Sequence, residues 1–136
     1  MIHDLLKQLY GTQHLPITVS KPWGNEEIFA ATERYVGKII TIKAGHQLSI
    51  QYHERKTETN RVLQGKIIIA KGKRVGELVE TTYREGDVWH NEPGEIHTIR
   101  VAAGEPAGVF VEVSTPELDD VVRLKDEYGR EGTNKP

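Results

Sequence analysis

Between Pro16 and Pro116 the sequence is a succession of short runs rich in β-branched and aromatic residues. They read ITV, EEIFA, YVGKIITIK, LSIQYH, RVLQGKIIIAKG, VGELVETTYR, DVWH, EIHTIRV and AGVFVEVS. Turn-forming pairs punctuate them: Lys21-Pro22, Trp23-Gly24, Ala44-Gly45, Lys71-Gly72, Gly86-Asp87, Pro93-Gly94 and Ala103-Gly104. Short strands with such regular breaks predict an all-β sandwich or barrel. A parallel α/β protein would place helical patterns between its strands, and none occurs from 16 to 116. With 136 residues the chain makes one domain with room for one core.

The ends differ from this middle. Ile2, Leu5, Leu6 and Leu9 recur at helical spacing, and Gly11 follows, so residues 1–15 are expected to carry a short amphipathic helix. It could cap the barrel or pack on a second subunit. The barrel is expected over 16–116. Residues 117–136 form a polar tail, helical or irregular, because Ser114-Thr115-Pro116-Glu117 suits a helix start. Val121, Val122 and Leu124 can still touch the barrel, and 131–136 are expected to fray.

Composition excludes several classes. The net charge of −2 gives no basic face for nucleic acid, although a local group of Lys and Arg is enough for a small anion. There is no cysteine, hence no disulfide framework and no thiolate metal site. No apolar stretch approaches a membrane span, and no signal peptide is read at the N-terminus. A cytoplasmic protein without a nucleic-acid or membrane partner is the expectation. Strand edges of such a barrel need protection, which favours a homodimer.

Alternation then singles out one hairpin, Gly45 to Gly65. Strand side chains point to alternate faces. Ser49, Gln51 and His53 share one face, and after the turn Glu58, Asn60 and Val62 share another. If Gln51 and His53 point inward, the register can bring Glu58 beside them. The alternative leaves Leu48, Ile50 and Tyr52 as the core set and sends the polar face to water. An inward face of Ser, Gln, His, Glu and Asn costs about 1–3 kcal/mol for each unpartnered group, so it implies a wet cavity or a bound ion. His97, in EPGEIHTI, can supply a further donor from a later strand. Trp23 and Trp89 read as packing anchors.

The pattern Gly45…Gln51-x-His53-x4-Glu58-x6-Gly65, followed by Gly86…Gly94-x-x-His97, resembles the two motifs of the cupins. Gln51 in place of the usual first histidine is similar to the mannose-6-phosphate isomerase branch. Closer still is the C-terminal domain of the bifunctional type II phosphomannose isomerase/GDP-mannose pyrophosphorylase family. Lys21-Pro22-Trp23-Gly24, the run Lys43–His53, Gly94-Glu95-Ile96-His97 and the tail Asp119–Arg130 carry the likeness over about 18–130. The tail is the most specific stretch. Three places depart from the family's usual pattern: Glu54 and Arg55 follow His53, Thr59 and Asn60 follow Glu58, and the second motif reads Glu92-Pro93-Gly94 where Pro-x-Gly is usual. The pyrophosphorylase half has no counterpart, so nucleotidyl transfer is not expected.

The resemblance implies a cupin fold, a jelly-roll-like double-stranded β-helix barrel, with Gln51, His53, Glu58 and His97 as metal ligands. Two imidazoles, a carboxylate and an amide oxygen suit a divalent ion of intermediate softness: Zn, Mn, Co, Ni or Fe. The implied reaction is aldose–ketose isomerisation of a sugar or sugar phosphate through a cis-enediol. Its base must reach the sugar carbon, and His90, Lys38 and Glu112 are the candidates. Lys43, Asn60 and Arg100, with the tail arginines Arg123 and Arg130, are candidates for substrate binding. The alternatives are a metal cupin oxidoreductase of dioxygenase type and a non-catalytic sugar-binding cupin.

Overall fold

The computed structural model describes residues 1–11 and 14–131. Among the described residues, helix α1 (Ile2–Tyr10) is followed by eleven strands: β1 (Ile17–Lys21), β2 (Gly24–Ala31), β3 (Val36–Ile42), β4 (Ile50–Tyr52), β5 (Glu58–Gln64), β6 (Ile67–Gly72), β7 (Val79–Tyr83), β8 (Val88–Asn91), β9 (Ile96–Arg100), β10 (Gly108–Ser114) and β11 (Val122–Lys125). They form two sheets, in the orders β1-β2-β3-β10-β5-β8 and β11-β4-β9-β6-β7. The described pairings are antiparallel. Strands far apart in sequence are neighbours in space, as in a double-sheet jelly roll. The all-β expectation is therefore met.

Between the sheets, Trp23, Ile40, Ile42, Val62, Ile67, Ile69, Trp89, Ile99, Val101 and Phe110 form the main core. Burying a fully enclosed side chain such as Phe110 contributes about 1.5–3 kcal/mol. A second cluster joins Ile2 and Leu6 of α1 to Ile17, Ile28, Ala31 and Val36. The helix thus packs on β1–β3 of its own chain. Gly11 ends it at φ 70°, and its N–H donates to the Lys7 carbonyl at 2.9 Å.

Alternation runs through the interior as the residue types suggest. β5 turns Glu58, Asn60 and Val62 inward, and β10 turns Phe110, Glu112 and Ser114 inward. Lys38 follows the same rule on β3, beside Ile40 and Ile42. One part of the interior is apolar, and the other holds buried Lys, Glu, His and Asn.

The tail, expected to be helical or irregular, is irregular over 115–121 and 126–131, with one strand between. Val122–Lys125 is a strand, β11, which pairs with β4 and places Arg123 opposite Gln51. The physical reason is that β4 offers an open edge, and Val122-Arg123-Leu124 satisfies its backbone groups at less cost than an isolated polar helical turn. The expectation for 131–136 falls, from 132 onward, outside the described residues.

Candidate metal centre

His53 leaves the end of β4, Glu58 opens β5, and His97 is the second residue of β9. Each of the three is buried, and one donor atom from each lies within 4.8 Å of the other two. His53 Nε2 is 3.0 Å from Glu58 Oε1, and His97 Nε2 is 3.6 Å from the same oxygen. The rings are tilted by 49° with centroids 5.1 Å apart. Gln51 stands directly across from His97 on β4 and lines the same cavity. Its Oε1 accepts the Ser49 hydroxyl at 2.6 Å and keeps a second lone pair.

The outer nitrogens of both rings are held by main-chain carbonyls. His53 Nδ1 meets the Asp120 carbonyl at 2.6 Å, and His97 Nδ1 meets that of Glu95 at 3.0 Å. A carbonyl only accepts, so this network assigns the proton to Nδ1 in each ring. Nε2 of a neutral ring then presents a lone pair toward the Glu58 carboxylate. Acceptors facing each other at 3.0 Å in a buried site need a cation between them, either a proton on the ring or a metal ion. Burial lowers the His97 pKa, which favours the neutral ring that a metal requires. This donor set fits a divalent ion, and backbone-anchored Nδ1 atoms are the usual support of ligating imidazoles.

Buried charges surround the centre. Glu112 donates to Glu58; burial and the Glu58 charge push it up to about 8. Lys56 approaches Glu112 at 3.2 Å. Burial works against the Glu58 carboxylate as well, yet Lys56, Glu112 and His53 hold its pKa well below the usual value. Farther along, Glu26 sits between Lys38 at 2.9 Å and Lys21 at 3.1 Å. Burial opposes its ionisation, but the two ammonium groups bring its pKa down to about 2. Lys21, Glu26, Lys38, Lys56, Glu112 and Arg123 all line the cavity that His53 and His97 enter.

The expected site residues divide accordingly. Gln51, His53, Glu58 and His97 come together, with Glu112 beside them. His90 does not join them. It lies on the exposed face of β8 with Val88, hydrogen-bonded to Thr59 at 2.8 Å and Glu92 at 2.8 Å, because Trp89 takes the inward position. Its reading as a base is corrected on that ground. Lys38 lines the cavity but is paired with Glu26. Burial would lower its pKa, and the Glu26 and Glu112 charges raise it instead, so it stays a cation and not a base. Lys43 is exposed at the end of β3, and Arg100 points away from the barrel to Glu80 at 2.9 Å, so neither reaches the cavity. Asn60 is buried between Glu112 and Trp89 on neighbouring strands and does not line the cavity; neither amide atom has a protein partner among the described residues.

Glu26, Lys21, Lys56 and Asp120 escaped the sequence reading. For Glu26 a signal existed: in EEIFA it shares a strand face with Ile28, and Ile28 is core. Lys21, Lys56 and Asp120 lie at strand ends or in loops, where alternation carries no information.

A family model described as mannose-6-phosphate isomerase C-terminal matches residues 10–126. The chain belongs to that family. Among relatives of the family domain, the mannose-1-phosphate guanylyltransferase ManC of Salmonella typhimurium is 36% identical over 124 residues, covering 86% of this chain and 24% of that protein. The chain thus spans about a quarter of the length of the curated relatives it matches. Among solved structures, CapF of Staphylococcus aureus superposes with a TM-score of 0.71 at 20% identity, over 85% of this chain and 36% of that one. Oxalate decarboxylase of Lactobacillus farciminis gives 0.67 at 17%, over 79% and 33%. These structures are cupins, and the likeness establishes the cupin fold for this domain.

Proposed function

We propose that this domain is a metal-dependent isomerase of a sugar or sugar phosphate, resembling mannose-6-phosphate isomerase. The observation that carries the reading is the convergence of His53, Glu58 and His97 in a cavity that also admits the Glu112 carboxylate. Gln51 is the fourth candidate ligand. A bound divalent ion would act as a Lewis acid on the sugar's carbonyl and adjacent hydroxyl.

The chain's own groups would do the rest. Glu112, in its ionised form, takes the proton from C2 of an aldose; the O2 hydroxyl proton passes to O1, and Glu112 returns its proton to C1 of the cis-enediolate, leaving the carbonyl at C2. Lys56, held as a cation by Glu112 and Glu58 against the effect of burial, offers N–H donors to the oxygen that gains charge. Arg123 lies one strand beyond Gln51, and Lys21 lines the same cavity from β1, so the phosphate of a sugar phosphate would meet them there.

Solvent deuterium exchange tests this. Mannose 6-phosphate and fructose 6-phosphate are incubated in D2O with the protein and Zn²⁺, Mn²⁺ or Co²⁺. Deuterium at C1 or C2 is expected, and it is lost in His53→Ala. A metal-loaded protein that exchanges no sugar or sugar phosphate would sink the isomerase reading; if a sugar still raised its melting temperature, it would be a binding module.

A further inference from the structure

We propose that Asp120 is a positioning residue that couples docking of the C-terminal strap to the His53–Glu58–His97 centre. The inference rests on the metal reading above. The strap is the segment from Thr115 to Arg130, of which β11 is the middle part.

Asp120 acts in two directions at once. Its carboxylate accepts three consecutive backbone N–H groups, from Glu54 at 3.0 Å, Arg55 at 2.7 Å and Lys56 at 2.8 Å. Those residues are the turn between His53 and Glu58. Its main-chain carbonyl accepts the His53 Nδ1–H at 2.6 Å. One residue therefore fixes the shape of the ligand-bearing turn and the rotation of a ligand ring. Charge-assisted hydrogen bonds of this kind are the strong ones. Burial disfavours the Asp120 carboxylate, and the three N–H donors more than offset it, leaving its pKa below the ordinary value.

The neighbouring contacts make the strap one body with the turn. Thr115 Oγ1 accepts the Thr57 N–H at 3.0 Å, and the Thr115 N–H donates to the Thr57 carbonyl at 3.1 Å. On the other side, β11 pairs with β4, which carries Gln51. Leu118, Val121, Arg123 and Arg130 complete a wall of the cavity. If the strap lifts, His53 loses its Nδ1 acceptor, the turn loses its anchor and the cavity loses a wall. An ion that binds only the docked arrangement must hold the strap down, and the docked strap must raise affinity for the ion by the same factor.

The test uses the full chain and Co²⁺, whose absorption reports ligation. In the wild type, Co²⁺ is expected to slow amide hydrogen exchange at residues 54–56 and 122–125 together. Asp120→Ala is expected to weaken Co²⁺ binding by about 10–100-fold and to abolish the joint protection. Asp120→Asn, which keeps an acceptor oxygen without the charge, should fall between. Asp126→Ala is the control: it removes the Arg130 contacts at the far end of the strap and should leave Co²⁺ affinity unchanged. Metal binding that leaves exchange at 54–56 and 122–125 untouched in the wild type overturns the coupling, whatever the variants do. So does an Asp120→Ala protein that binds Co²⁺ as tightly as wild type. A wild type that binds no Co²⁺, Zn²⁺ or Mn²⁺ overturns the metal reading itself, and the coupling with it.

Discussion

His53 Nε2 faces Glu58 Oε1 across 3.0 Å, and His97 Nε2 approaches the same oxygen at 3.6 Å. With both Nδ1 atoms committed to carbonyls, the arrangement is stable only around a cation. Zn²⁺ or Mn²⁺ at a hundredfold excess over its Kd should stabilise the wild type by about 2.7 kcal/mol, or roughly 10 °C in Tm for a domain of this size. Glu58→Gln keeps the shape and removes the charge, and its Tm should respond little to the same ions. Thermal melts with and without a chelator check this. An equal rise in Glu58→Gln would place the ion elsewhere.

Glu112 and His90 are both titratable strand residues, but they sit on opposite faces of the same sheet. Glu112→Gln should lower kcat for sugar-phosphate isomerisation by about 10²–10⁴-fold, the range for loss of a general base, with Co²⁺ affinity largely kept. His90→Ala should leave kcat and KM unchanged. Steady-state kinetics on the two variants decides between them. A large loss in His90→Ala alone would restore His90 as the base.

How much of this was legible beforehand depended on strand parity. Glu58, Asn60 and Val62 alternate cleanly, and the inward set on β5 follows. The same rule rejects His90 once Trp89 is placed inside, because adjacent strand residues cannot share a face. Parity could not separate Glu26 from Glu27 without knowing that Ile28 is core. Lys56 and Asp120 lie in turns, where side-chain direction is set by contacts across the fold and not by sequence period. β11 was hidden because its partner, β4, is some seventy residues away in sequence, and only the closed barrel shows that β4 has a vacant edge. The tail motif was recognisable from the family resemblance, but its physical role was not.

The phosphate end of the cavity can be probed through cations that differ only in where they point. Arg123 lies opposite Gln51 and lines the cavity, whereas Lys43 and Arg100 lie outside it. Arg123→Leu should raise KM for mannose 6-phosphate by about tenfold or more, as expected for loss of a charged hydrogen bond. Lys43→Ala and Arg100→Ala should have no such effect. Comparison with unphosphorylated mannose shows whether the loss is specific to the phosphate. Equal losses on both sugars would mean that Arg123 only shapes the wall.

Glu26 predicts an acid-sensitive component of stability. Its pKa is lowered from 4.5 to about 2 in the folded state, so its contribution is fully present above about pH 4.5 and is lost as pH falls through 2. That contribution is on the order of 3 kcal/mol. Glu26→Gln leaves Lys21 and Lys38 buried without their carboxylate, so it should be less stable at pH 7 by about 3–5 kcal/mol. Its stability should also fall less steeply than that of wild type between pH 5 and pH 2. Urea unfolding across that range measures both. Parallel curves would mean that the pair titrates alike in the folded and unfolded chain.

Gly24 follows the two-residue turn Pro22-Trp23 that joins β1 to β2, and it pairs with Ile42 of β3. Its φ is 154°, a conformation that a side chain rarely adopts. A Cβ there would lie 1.9 Å from the Thr41 carbonyl oxygen, which is backbone in a neighbouring strand and cannot swing aside. Gly24→Ala must therefore both strain φ and push β2 from β3, where Glu26 and Lys38 make their buried pair and Trp23 joins the core. The loss should reach about 3 kcal/mol or more, read as a lower urea midpoint with an unchanged slope. Ala at the exposed Gly76, where an added Cβ meets nothing within 4 Å, should be close to neutral. A Gly24→Ala protein as stable as wild type would mean that the β1–β2 turn shifts without disturbing the Glu26–Lys38 pair, and that the glycine in Lys21-Pro22-Trp23-Gly24 is not there for packing.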